Sequence, residues 1–432
     1  MHFPRCHGTM LTDKDPNFTK RGDPMPHNHG FHRAQMILNI IHHLGPISRT
    51  ELTDLTDWRP ATVGDITKDL LEQQLILETG HSSGGHGRKR TLLEINKEHL
   101  YAVGISFTPE SALCLAAGID GRIFTQTSVP IHPAQPKETL ARLIAEEVRN
   151  LIARCSQKEL VGIGICKPFY DPLTYESNHS ILSNYTHFHD WIHHSLQPLL
   201  EGCAQVPVEA FSPVTLPALA EQRFGAAKGA RDFICIELSN GIGASIFCNG
   251  APVGSSHGVA GELGHTVIDR DQNQLCYCGK PGCVEGVTAF PALASQIRSA
   301  LDSGVFSTLS ACSEDGITVR NIRQALDDGD RMCMHFVKES AIRLGVAIAN
   351  AVNLLNPELI VLYGFMLELG DYFLRHLQTS ILENTIVLAN DFTIRTSSSM
   401  DTILPLGAVA ELFTAYLKMD DYKWVYQLHP NE

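Results

Sequence analysis

Four residues in the middle of the chain have the side chains best suited to hold a metal ion: His265, Cys276, Cys278 and Cys283, in the run HTVIDRDQNQLCYCGKPGCVE. One imidazole and three thiolates match zinc, a borderline-soft cation that is tetrahedral in closed structural sites. Gly279 and Gly282 let the backbone fold tightly enough for ligands one and four residues apart to converge on one ion. The alternative is a set of free thiols that behave as small apolar residues. Four ligands at workable spacing beside two glycines favour structural Zn2+.

Such a loop needs a framework, and 432 residues are enough for two or three domains with ordinary cores. No stretch reaches the length of a membrane span, so no membrane insertion is expected. Residues 1–30 lack the apolar core of a signal peptide and are rich in Pro, Gly and His; they read as a disordered tail on a cytoplasmic chain. Of the 12 cysteines, most outside the metal run lie in apolar segments such as FICIEL and SALCLAAG, which argues for a reducing compartment. The net charge of −13 argues against indiscriminate nucleic-acid binding. Residues 31–96 have seven Lys/Arg against eight Asp/Glu, whereas the remainder has 27 against 39, so the acidity lies outside the first module.

That module, residues 31–96, reads as three short helices and a hairpin. His32 to Leu44 places Met36, Ile37, Ile40, Ile41 and Leu44 on one face before Gly45-Pro46 ends the helix. Ser48-Arg-Thr-Glu51 is a capping box for a second helix that buries Leu52 and Leu55. Pro60 opens a third, with Val63, Ile66 and Leu70 inward and Thr62, Asp65 and Lys68 outward. Gln74–Glu78 and Arg90–Ile95 then read as strands around the loop TGHSSGGHGRK, giving a winged helix-turn-helix. Thr62, Asp65 and Lys68 suit base edges or phosphates in a major groove, and Arg88 and Lys89 on the glycine-rich tip suit a narrow minor groove. Such a module can also serve protein contact alone. Arg59 stands where a Ser or Thr cap is usual, and Gly64 where a phosphate-binding Ser is common.

From Leu100 onward apolar strands alternate with helices: YAVGIS, SALCLAAGI, LVGIGIC, FICIEL and ELIVLYG, with helices near 137–155, 214–226, 321–329 and 331–355. Residues 97–432 therefore form an α/β region. His187, His189, His193 and His194 around Trp191 lack Cys or carboxylate support and read as a solvated surface.

The string from Gly258-Val-Ala-Gly-Glu-Leu-Gly-His265 through Cys283-Val-Glu285 resembles the signature of the ROK family of repressors, open reading frames and sugar kinases, over roughly residues 33 to 415. The resemblance implies a two-lobed actin-like (ribonuclease H-like) sugar-kinase-type fold with a zinc loop, lobe one near 97–213 plus the C-terminal end and lobe two near 214–400. It further implies that Glu262, His265 and Glu285 bond sugar hydroxyls, that Asn184 adds a contact, and that the Gly87-Arg88 pair reads DNA.

A ROK kinase needs a carboxylate base and a phosphate-cradling loop. Where its relatives have Asp-x-Gly-Gly-Thr this chain reads Gly104-Ile-Ser-Phe-Thr-Pro-Glu110, and Pro213 in Ser212-Pro-Val-Thr215 occupies the base position. Glu209 and Glu221 are the nearest acids. The resemblance thus implies no enzyme activity but a DNA-binding regulator, read as a repressor of carbohydrate uptake or catabolism genes. Its partners would be a double-stranded operator and an effector that is a sugar, a sugar phosphate or a sugar phosphotransferase subunit. Symmetric operators favour a homodimer or homotetramer. The competing reading is a zinc-containing sugar kinase with an appended module.

Overall fold

The computed structural model describes residues 29–81, 90–108, 110–132, 135–168, 188–254, 260–270, 275–276, 278–311, 317–386, 391–397 and 401–417. The chain divides into two compact units, with breaks between Ile95 and Asn96 and between Tyr416 and Leu417.

The first unit holds α1 (His29–Leu44), α2 (Arg49–Thr56) and α3 (Pro60–Glu72), with strands β1 (Ile47–Ser48), β2 (Ile76–His81) and β3 (Thr91–Ile95) in the antiparallel order β1-β3-β2. Ser48 Oγ accepts from the Glu51 amide while Glu51 Oε2 accepts from the Ser48 amide at 2.8 Å, the reciprocal cap that starts α2. Arg59 precedes α3 without a side-chain cap. Helix α1 is buried on more than one face, because Leu38 and Asn39 join Ile37, Ile40 and Ile41 in the core. Asn39 Nδ2 donates to the Leu417 carbonyl at 3.3 Å, and Leu417 is fully buried. Leu417 therefore belongs to this unit rather than to the α/β region where the sequence pattern puts it. On α3, Thr67 rather than Ile66 completes the buried stripe, its hydroxyl accepting from Arg49 Nε at 3.0 Å.

The second unit contains two five-stranded sheets of one topology. In the first, β4 (Leu100–Phe107), β5 (Ser111–Gly118), β6 (Ile123–Pro130), β7 (Glu159–Cys166) and β8 (Val208–Phe211) lie in the order β6-β5-β4-β7-β8. In the second, β9 (Phe233–Leu238), β10 (Ile242–Cys248), β11 (Ala251–Pro252), β12 (Leu359–Tyr363) and β13 (Thr393–Thr396) lie in the order β11-β10-β9-β12-β13. Each sheet has its leading strand in the centre, antiparallel neighbours on one side and parallel ones on the other.

Helix α4 (Lys137–Arg154) covers the first sheet with Leu140, Ile144, Val148 and Leu151. After a π-helical turn at Ile192–Leu196 come α5 (Gln197–Glu201) and α6 (Leu216–Phe224). The second sheet packs with α7 (Val284–Thr288), α8 (Phe290–Asp302), α9 (Val319–Asp327), α10 (Arg331–Leu355) and α11 (Asp371–Asn384) around one large apolar core. Helix α12 (Ile403–Tyr416) closes the unit against β4, β7 and α6. Among the described residues no helix is long and apolar enough to cross a membrane.

Candidate metal centre and ligand cleft

The ligand atoms of His265, Cys276, Cys278 and Cys283 all lie within 4.8 Å of one another. His265 ends a 3-10 turn at Leu263–His265, entered through Gly261 at φ +84°, where a Cβ would stand 1.8 Å from the Ala244 carbonyl oxygen. Short antiparallel bridges, Val267 with Cys283 and Leu275 with Pro281, bring the cysteines back beneath it. Gly282, at φ +74°, makes that return possible: a side chain there would strike the Asp269 carbonyl at 1.9 Å. The turn is held by the Ile268 amide on the Gly282 carbonyl at 2.9 Å and the Val284 amide on the Thr266 carbonyl at 2.9 Å. Arg343 of α10 reaches Asp269 at 3.8 Å.

The imidazole is divided between two tasks. Its Nδ1 is 3.6 Å from Cys276 Sγ, and its Nε2 is 3.7 Å from Glu262 Oε2. Cys278 and Cys283 sulfurs are 3.6 Å apart. Burial pushes the Cys276 thiol up to about 12 and raises that of Cys283, while at exposed Cys278 a burial penalty is outweighed by the Lys280 amide and the neighbouring sulfurs. Buried thiols this reluctant to ionise alone, converging with an imidazole nitrogen, fit a divalent metal that displaces their protons. These four residues can hold a metal ion.

The same segment builds one wall of a cleft. Glu285 follows Cys283 by two residues on α7, and its Oε2 accepts from the Ile242 amide at 2.9 Å in the β9–β10 turn. Burial raises its carboxyl, opposed by that amide and by His265, and Glu262 raises it further. On β9, Glu237 accepts from the Tyr363 hydroxyl of β12 at 3.2 Å. Burial lifts Glu237 above the usual carboxylate range, with hydrogen bonds from Tyr363 and Ser239 opposing and Glu285 adding to the rise. Opposite Glu237 in the ladder stands Gly243, with open space where its side chain would be. Both Glu237 and Tyr363 lie at the carboxyl ends of adjacent parallel strands with antiparallel neighbours beyond, the switch point at which open α/β sheets bind ligands.

Spacing does not reveal Glu237 or Tyr363; the available signal is an acid inside the otherwise apolar FICIEL. Asn184, Arg88 and Lys89 lie outside the described residues, as does His187. On α3, Asp65 and Lys68 are exposed and Thr62 is half-exposed, with Lys68 3.7 Å from Glu72. His193 and His194 are solvated as expected, but His189 is half-buried. Burial, then Lys167, pushes it down to about 4.

The elements expected of a phosphotransferase are otherwise engaged. Pro213 is buried and Glu209 is exposed. Glu221 is buried on α6 with one oxygen accepting from the Ala226 amide at 2.6 Å and the other from the Ser397 hydroxyl. In the β4–β5 turn, Thr108 Oγ1 accepts from the Ser111 amide at 3.0 Å and the Glu110 amide at 3.3 Å, so two donors that could face a phosphate are satisfied internally.

The ROK family model matches residues 104–412. The chain belongs to the ROK family. Among ROK relatives, the xylose repressor of Caldicellulosiruptor bescii is 28% identical over 380 residues, covering 87% of this chain and 94% of that protein. The N-acetylglucosamine repressor of Escherichia coli O6:H1 is 26% identical over 384 residues, covering 88% and 92%. A crystal structure of a ROK transcriptional regulator, a homologue of the E. coli MLC protein, superposes with a TM-score of 0.72 at 24% identity, over 92% of this chain and 99% of that one. A ROK glucokinase from Streptomyces griseus, in complex with glucose and AMPPNP, superposes at 0.55 and 23% identity, over 72% and 98%. The kinase match thus spans less of this chain than the regulator match does.

Proposed function

We propose that this ROK protein is a DNA-binding transcriptional repressor of carbohydrate uptake or catabolism genes, with a catalytically inert kinase-like sensor. Its first unit acts as a winged helix-turn-helix, with Thr62, Asp65 and Lys68 of α3 toward the major groove and Arg88 and Lys89 toward the minor groove. Asn96–Tyr416 is the sensor, of duplicated actin-like form. His265, Cys276, Cys278 and Cys283 hold structural Zn2+, which cross-links the loop and keeps Glu262 and Glu285 in place for sugar hydroxyls, with Asn184.

The observation that carries the non-catalytic reading is the commitment of Glu221 to Ala226 and Ser397, beside a proline at the base position. Loss of a positioned base alone lowers rate by about two to four orders of magnitude. An effector that binds two lobe arrangements unequally shifts their populations, and in a dimer or tetramer that shift alters the spacing of the DNA-reading helices.

Selection of genomic fragments by zinc-loaded protein at near-physiological salt tests the reading. Enrichment of palindromic sites, lost with Arg88→Ala and without ADP formation on hexoses, is expected. Absence of any selected fragment, together with ATP-dependent hexose phosphorylation lost in Glu262→Gln, would establish the kinase instead.

A further inference from the structure

Resting on the sensor reading above, we propose that the effector is an unphosphorylated, polyhydroxylated molecule, and that the cleft discriminates against its phosphate esters. Three independent features of the walls carry this.

The first is the state of the backbone amides. Phosphate recognition without a basic cluster depends on free N–H groups in a turn. In the first hairpin the Glu110 and Ser111 amides already donate to Thr108 Oγ1, and the Thr108 amide donates to the Ser111 carbonyl at 2.8 Å. In the sister hairpin the Ser239 amide donates to the Gly241 carbonyl at 3.1 Å and the Ile242 amide to Glu285. The group seated on that second turn is itself an anion. A phosphate could take the amide only by displacing a carboxylate.

The second feature is the sign of charge. Glu285 Oε2 lies against Gly241, 2.9 Å from where its Cβ would be, and Glu237 lies one residue pair further along the same hairpin, opposite the open space over Gly243. Glu262 completes the group through His265. A neutral imidazole on a divalent ion with three thiolates leaves the metal loop negative as well. Lys167, at the end of β7, acts on the Cys166 thiol as Glu237 does, so it stands on the facing wall. One cation against three carboxylates leaves the cleft negative.

The third feature is what those carboxylates can do. Glu262 is half-exposed, and the oxygen of Glu285 not given to Ile242 has no printed partner of its own, so both can accept from vicinal hydroxyls. A sugar supplies such donors in pairs, whereas a phosphate at neutral pH supplies mainly acceptors and charge.

The test uses zinc-loaded full-length protein and paired probes: D-xylose, D-glucose and N-acetylglucosamine against xylose 5-phosphate, glucose 6-phosphate and N-acetylglucosamine 6-phosphate. Calorimetric binding and release of a selected DNA fragment are measured together. At least one free sugar is expected to bind and release DNA with an affinity about tenfold to a hundredfold above its ester. In Glu285→Gln, whose amide side chain can still bond Ile242, that ratio should narrow. An ester that binds as tightly as its parent sugar overturns this inference and leaves the repressor reading intact. If neither form of any probe binds, while zinc content and DNA binding persist, both the sugar-effector reading and this inference fall.

Discussion

Replacing Cys276 with Ser removes one of four ligands without adding volume, and its effect can be worked from the surroundings. Cys276 is only 5% exposed, and Gly286 packs so close to it that a Cβ there would meet Cys276 Cβ at 3.2 Å. The loop's backbone bonds, including the Cys276 amide to the Lys280 carbonyl at 3.0 Å, do not depend on the sulfur. The expected loss is therefore that of the bound ion rather than of the surrounding fold. A ligand held at a thousand times its dissociation constant stabilises the native state by about 4 kcal/mol. Unfolding entropy near 2.1 cal/mol/K per residue, over the roughly 320 residues from Asn96 to Tyr416, gives about 0.7 kcal/mol/K. Cys276→Ser and chelated wild-type protein should thus both melt about 6 °C below the zinc-loaded form. Metal analysis should fall from one zinc per chain to near zero, read alongside calorimetric melting. If the chelated and loaded proteins melt together, or Cys276→Ser keeps its full zinc, the metal centre is wrongly assigned.

Three other outcomes follow from the geometry. Glu221→Ala leaves the Ala226 amide and Ser397 hydroxyl without their acceptor, so urea unfolding should show a loss of about 2 to 4 kcal/mol while DNA affinity is kept. Glu237 holds its proton more tightly when folded than when unfolded, so its contribution is complete below the ordinary carboxylate range and fades as pH rises through its elevated native value. Glu237→Gln should accordingly gain on wild type in melting temperature between pH 5 and pH 8, and a difference independent of pH would refute that account. Lys68→Ala should weaken DNA binding similarly across sequences and reduce the slope of log affinity against log salt by about 0.9, as for one lost phosphate contact.

Much of the framework was legible because its signals are local. The Ser48–Glu51 cap, Pro60 at the start of α3 and the apolar runs of β4, β5, β7, β9 and β12 each announce themselves within a few residues. The cysteine loop was equally readable, since tetrahedral donors must be close in sequence or marked by glycines, and the structure gathers all four. Features created by tertiary contact were not readable. Strand β1 is two residues long and exists only by pairing with Leu92 and Leu93. His189 turns inward although its neighbours His193 and His194 do not, because burial there depends on the fold around Trp191 rather than on histidine spacing. Glu237 and Tyr363 are 126 residues apart and meet only because β9 and β12 lie side by side. Thr108 showed a missing phosphate signature but not the hydroxyl that takes its place.

The bond from Asn39 to Leu417 spans 378 positions, so the small unit is built from chain on both sides of the large one. If the intervening polypeptide were unfolded, bringing those ends together would oppose the contact by about 5 kcal/mol of loop-closure entropy. A folded Asn96–Tyr416 removes most of that penalty by fixing where the two ends emerge. The small unit is then fully assembled only on chains whose large unit has already folded, which gives the polypeptide a built-in order of maturation: a molecule with a collapsed sensor also lacks the last residue of its N-terminal core.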